Sequence, residues 1–172
     1  MIGRPAQDEA VEHFWRYMNR VPGDDPLTAL NRQLAEAESL LPQVSEEKSL
    51  HRYAPGKWSM REALSHVTDT ERSFAYRALW FGRGFRTPLE GLPENEAAEA
   101  ARADRIPWAE HVEEFRQVRL ATISLFRHMP EEAWSRSGIV SGNSITVRAL
   151  SFLATGHADH HLAIFRERYL AA

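Results

Sequence analysis

The longest periodic stretch of the chain is residues 146–170, TVRALSFLATGHADHHLAIFRERYL. Val147, Leu150, Ala154, His157, His161, Ile164 and Arg168 follow in steps of three and four, which predicts one helical stripe facing other helices. Three further stretches carry the same period. Asp24 and Asp25 offer N-cap oxygens ahead of Pro26, and Leu27, Leu30, Leu34, Ala37 and Leu41 then predict a helix that Pro42 closes. Ser59 and Glu62 stand in the S-x-x-E spacing of a capping box. From there Met60, Leu64, Val67, Phe74, Ala78 and Phe81 predict a helix to about Phe81, its apolar run interrupted by Glu71. Pro107 opens a third, with Trp108, Val112, Phe115, Val118, Thr122, Leu125, Phe126 and Met129 on a broad apolar face. In front of all four, Val11, Phe14, Trp15, Met18 and Val21 predict a short amphipathic helix over residues 7–21, ended by Pro22-Gly23.

The connections are read from their turn residues. Residues 45–56 are polar and end in a Pro-Gly turn, and Ser141-Gly142-Asn143-Ser144 is a turn before the last helix. Residues 82–105 form a long connection with an Ala/Glu-rich part that predicts a short helical turn; a connection of this length acts as a lid or is mobile. Its Gly-Arg-Gly piece lacks the other glycines and the Lys-Ser/Thr of a phosphate loop. No stretch predicts a strand. The expectation is an all-α four-helix bundle with an extra short N-terminal helix, one domain over residues 1–172 with its core at about 24–170.

Charge and cysteine narrow the chemistry. The 21 basic and 24 acidic side chains leave a net charge of -3 with no long block of either sign, so neither nucleic acid nor an anionic membrane is implied as a partner. With no cysteine, a metal site here needs nitrogen and oxygen ligands. The first residues contain no apolar signal segment and no run is long enough to span a bilayer, which makes a cytoplasmic protein the simplest expectation.

His157 and His161 lie one turn apart in the middle of their stripe, so their rings can aim at one metal ion. Such a pair is also what satisfied core or surface histidines look like, and a third ligand has to come from elsewhere. His160 is rotated by about 100° from His161 and is the second choice. His66 sits beside the apolar stripe of its helix among Ala63, Thr70 and Ser73, small side chains that leave room around a ring. His111 and His128, about 25 Å apart at 1.5 Å per residue, cannot serve one site and read as surface or capping residues. Glu131 and Glu132 read as solvated first-turn charges.

K-W-S-x-x-E and H-V-x-D-x-E at residues 57–71, followed by G-H-x-x-H-H-L-x-I-x-R-E-R-Y at residues 156–169, resemble the DinB-like/YfiT-like family over most of the chain from about Asp24. The resemblance implies a bundle, commonly dimeric, in which His66, His157 and His161 hold one divalent metal. It also implies a metal-dependent transferase or hydrolase acting on a small substrate, including a low-molecular-weight thiol. Zinc or nickel suits three imidazoles, with iron or manganese also accepted. Neutral imidazoles leave an ion its charge and an open position, which suits Lewis-acid work on a water or a thiol. Asp69, Glu71 and His160 are the groups nearest to hand as supporting partners, Asp69 and Glu71 being equally readable as salt-bridged surface residues. No catalytic residue or organic cofactor is named by the motifs. The competing reading is a metal-bearing bundle, stress-related, that binds a ligand or partner without turnover.

Overall fold

The computed structural model describes residues 2–171. Its helices are α1 (Trp15–Met18), α2 (Pro26–Leu40), α3 (Glu46–Ser49), α4 (Met60–Gly82), α5 (Glu94–Ala101), α6 (Trp108–Arg127) and α7 (Val147–Ile164). The long ones, α2, α4, α6 and α7, form a four-helix bundle. Their starts follow the local signals. The Asp25 carboxylate accepts from the Leu27 and Thr28 N–H groups at 3.3 and 3.2 Å, and Ser59 and Glu62 form the reciprocal box at the start of α4. The Thr146 hydroxyl accepts from Ala149 N at 3.0 Å and caps α7.

Packing does not follow chain order. Both α2 and α4 pack against α6 and α7, so α2 and α4 occupy one diagonal of the bundle and α6 and α7 the other. Two apolar clusters result, one around Met18, Leu30, Phe81, Phe126 and Phe152, the other around Leu41, Met60, Trp108, Phe115 and Phe165. On α4, α6 and α7, Glu71, Arg119 and Thr155 lie between the clusters, and all three are buried. Arg119 donates to Glu71 Oε2 at 2.7 and 3.0 Å and to Gln33 Oε1 of α2 at 2.8 Å. Gln33 in turn donates to the Thr155 carbonyl at 2.8 Å, so one polar layer ties all four helices together.

Three expectations are corrected. Residues 137–146 form a hairpin, β1 (Ser137–Val140) antiparallel to β2 (Asn143–Thr146), where no strand was expected. Its two turn residues, Ser141 and Gly142, have φ of 46° and 79°, the two left-handed positions a tight hairpin of this hand requires. Four-residue strands are too short to display a period, and Gly138 is there because a Cβ would lie 2.0 Å from the Phe81 ring. The N-terminal stretch is not one helix but two 3-10 turns (Gln7–Glu9 and Glu12–Phe14) leading into α1. Ala10 between them is extended, and Glu9 is drawn to Thr146 (2.6 Å) and Arg148 (3.1 Å) at the start of α7. Finally, the last helix ends in a wider turn with i to i+5 bonding over Phe165–Tyr169. There Tyr169 is carried into the core, its hydroxyl donating to the Trp58 carbonyl at 2.6 Å, while Arg168 is exposed.

The long connection is pinned. Leu89 N donates to the Ile139 carbonyl and Ser141 N to the Leu89 carbonyl, both at 2.9 Å, and Arg77 donates to the Glu90 carbonyl at 2.9 Å. Among the described residues no helix is long and apolar enough to cross a membrane.

Candidate metal centre

The close packing of α4 on α7 brings His66 against His157 and His161. The Nε2 atoms of His66 and His157 are 3.2 Å apart, and one ring nitrogen from each of the three histidines lies within 4.8 Å of the others. Ring centroids are separated by 5.1, 5.2 and 4.7 Å. His66 and His157 are buried and His161 is half-buried. Burial disfavours the charged form of an imidazole, so all three pKa values are pushed down, that of His161 to about 3. For His157 the neighbouring rings of His161 and His66 add to the effect of burial. The cluster is therefore uncharged near neutrality, with lone pairs available.

Small residues make this approach possible. At Gly156 a Cβ would stand 2.0 Å from the Tyr17 carbonyl oxygen, so glycine is what lets α1 lie on α7. The Tyr17 ring then comes to 5.4 Å from both His157 and His160. Trp58 (4.8 Å from His66) and Phe74 (5.9 Å from His157) complete an aromatic surround. Thr70 Oγ1 is 3.4 Å from His66 Nδ1, one turn along α4, and is the side chain that holds that ring from behind.

Two cavities meet the cluster. One, of about 300 Å³, is walled by His66 and His157 together with Tyr17, Arg77, Glu94 and Asn143. The other, about 250 Å³, reaches His161 between Trp58, Asn95 and Tyr169. Adjacent residues at the start of α5, Glu94 and Asn95, thus face different cavities. A larger hollow of about 520 Å³ between Phe81, Phe85 and β1 contains no histidine.

The remaining singled-out residues fall elsewhere. His160 is half-buried on the flank beside Tyr17, outside the cluster. His128 caps α6 as expected, its Nδ1 2.8 Å from the Ser124 carbonyl. His111 is not a surface residue: it is buried, with Nε2 2.9 Å from the Ala103 carbonyl, where it ties α6 to the connection before it. Asp69 pairs with Arg72 at 3.0 Å near the surface, whereas Glu71 is neither a surface residue nor a partner of His66 but the carboxylate of the buried Arg119 pair. Glu131 and Glu132 are exposed. Tyr17, Glu94 and Arg77 were not singled out. For Arg77 a signal existed, since Thr70, Ser73 and Arg77 follow His66 at i+4, i+7 and i+11 on one face of α4.

A family model described as the DinB superfamily matches residues 29–165. In fold the chain is similar to YfiT from Bacillus subtilis, described as "a probable metal-dependent hydrolase with an unusual four-helix bundle topology", with a TM-score of 0.71 and 17% identity, covering 98% of this chain and 92% of that one. It is also similar to a mycothiol-dependent maleylpyruvate isomerase, with a TM-score of 0.69 and 16% identity, covering 84% of this chain and 61% of that longer one. At these identities the likeness carries the fold. No protein of curated function matches the chain.

Proposed function

The chain belongs to the DinB superfamily, and from that premise we propose that it is a metal-dependent enzyme in which His66, His157 and His161 hold one divalent ion. The observation that carries this reading is the cluster itself: three imidazoles from two helices, two buried and one half-buried, unprotonated at neutral pH, with one nitrogen of each within 4.8 Å of the others and a cavity on either side. The donor set fits. Two imidazoles bound tetrahedrally at about 2.0–2.1 Å stand roughly 3.3 Å apart, and the closest pair here is at 3.2 Å. Nitrogen ligands without thiolate or carboxylate favour zinc or nickel, with iron or manganese as alternatives.

Bound there, the ion supplies Lewis acidity to a water or a small thiol, which makes hydrolysis or thiol transfer to a small electrophile the reaction classes of choice. The protein's own groups do the rest. Thr70 orients the His66 ring, while Tyr17, Trp58 and Phe74 pack against the histidine rings and fix their positions. Glu94 is the carboxylate lining the same cavity as His66 and His157, and so the group placed to accept a proton from the attacking water or thiol. Of the structures similar in fold, one is described as a "probable metal-dependent hydrolase" and the other as a mycothiol-dependent isomerase, which supports hydrolysis and the use of a small thiol.

Assembly as a homodimer belongs to the same reading. Of the aromatic residues near the helix ends and in the long connection that an interface would use, Trp15, Trp80, Phe81 and Phe85, Phe81 is buried in the core and unavailable. Trp80 and Phe85 stack at 4.4 Å on the surface beside Tyr76, which is half exposed, and this patch supports a second copy. Elemental analysis of untagged protein is expected to find close to one divalent ion per chain. A protein that stays metal-free after incubation with zinc, nickel and manganese overturns the proposal. Turnover of a panel of electrophiles and esters, with and without low-molecular-weight thiols, separates an enzyme from a metal-bearing binding protein.

A further inference from the structure

We propose that Arg77 is an oxyanion-binding residue, and that the cavity takes a small molecule whose carboxylate or phosphate the guanidinium holds at one end while the other end lies at the histidines. The second half of that statement rests on the metal-site reading above; the first half stands on the arginine and its surroundings.

Three arginines are buried among the described residues: Arg61, Arg77 and Arg119. Arg119 has Glu71 at 2.7 Å, and Arg61 has Glu46 at 2.5 Å together with three carbonyls. Arg77 has no carboxylate partner among the described residues. Its one hydrogen bond, to the Glu90 carbonyl, engages a single N–H out of the five a guanidinium carries, and its Cζ lies 5.9 Å from the centre of the Phe74 ring. Burial lowers its pKa with no nearby carboxylate acting to raise it. Buried charges are otherwise paired, because removing an unpaired one from water is costly.

Arg77 lines the cavity that His66 and His157 also line, and its one hydrogen bond leaves the rest of the guanidinium without a protein partner there. With Thr70 and Ser73 it continues the polar face of α4 away from His66, its Cα about 16 Å further along the axis at 1.5 Å per residue. The cavity's carboxylate, Glu94, does not neutralise it: Glu94 is exposed and acts on His66, and it has no part in the shift of Arg77. The cavity is therefore polarised along its length, carboxylate and metal ligands at one end and an unpaired guanidinium at the other. A planar fork of N–H donors suits two oxygens of one oxyanion, and a cavity of about 300 Å³ suits a small organic molecule.

The test uses the full chain in metal-free and zinc-loaded forms, titrated with benzoate, phenyl phosphate and neutral benzamide while the arginine Nε–H resonances are followed by NMR. At least one of the two anions is expected to shift a single Nε–H resonance, which is missing from Arg77→Gln, and the tighter of them identifies the ligand class. In Arg77→Gln the Kd for that anion is expected to rise at least tenfold, in Arg77→Lys by less, and the Kd for benzamide to stay unchanged. Equal anion affinity in wild type and Arg77→Gln, an equal loss for benzamide, or no anion binding by the wild type overturns the proposal. Should Arg77→Gln fail to fold, Arg77→Lys, which lacks the same Nε–H, identifies the resonance and the comparison is made with it. Metal content of the same samples separates the two readings. An ion without an anion effect overturns only the Arg77 assignment, and anion binding by a protein that takes up no metal overturns only the histidine site.

Discussion

Two buried polar clusters lie side by side in this bundle, Glu71 five residues after His66 on α4 and Thr155 two residues before His157 on α7, and they are built to opposite rules. In the Arg119–Glu71–Gln33–Thr155 layer, charge meets charge and donor meets acceptor, leaving Glu71 Oε1 as the oxygen without a partner. In the histidine cluster three neutral bases face one another, with Thr70 as the hydroxyl behind. The first arrangement is complete without a ligand and holds four helices in register. The second brings three uncharged ring nitrogens within 4.8 Å of one another with no carboxylate or guanidinium pairing them, which is the donor set a cation site requires. Burial alone therefore says little about role; the pairing of the buried groups decides it.

The contrast can be broken by substitution, and the largest effect belongs to the paired layer. Arg119→Ala or Glu71→Ala leaves a lone buried charge and is expected to cost about 3–5 kcal/mol in denaturant unfolding. The double change Arg119→Met with Glu71→Leu is expected to recover most of that loss; a single variant costing under about 1 kcal/mol would mean that the layer is solvated. Next comes Gly156→Ala. The added Cβ meets backbone at 2.0 Å and forces α1 off α7, with an expected loss of about 1–3 kcal/mol and faster amide exchange at residues 15–18. Unchanged exchange there would show that α1 does not depend on this contact.

At the cluster itself the balance reverses. His66→Ala, His157→Ala and His161→Ala are each expected to abolish metal binding while the metal-free form keeps its helical circular dichroism and loses less stability than the Arg119 variants. Acid sharpens the difference. Because the folded pKa values lie below the unfolded 6.5, the unfolded state binds more protons between the two. Stability of the metal-free protein is present above pH 6.5 and falls as pH is lowered from there towards about 3, and this slope should be shallower in His161→Ala. A slope identical in His161→Ala would take His161 out of the buried cluster. The smallest effect is expected for His160→Ala and His128→Ala, which should keep the ion; loss of metal in His160→Ala with retention in His161→Ala would reverse the choice between these neighbours.

Much of this was legible along the chain because helical signals are local. Caps at Asp25 and Ser59 act within three residues of themselves, and a stripe such as Leu150, Ala154, His157 and His161 repeats within one helix, so four helices and two of the three histidines could be read in place. His66 needed the family resemblance, since nothing near it in sequence says that α4 will lie on α7. The hairpin at Ser137–Val140 and Asn143–Thr146 escaped because strands of four residues hold too few turns of any period, and the N-terminal segment because its Glu9 answers to Thr146 and Arg148. Roles assigned by a partner were out of reach altogether. Glu71 looks like a surface charge until Arg119, 48 residues later, arrives across the bundle. Arg77 shares a face of α4 with His66 in the sequence, but its role depends on packing that buries it and supplies no carboxylate. What the chain encodes by itself is which face of each helix is apolar; which helix meets which, and so which charges are paired and which are left open, is decided by contacts between residues far apart in the chain, and those exist only in the folded bundle.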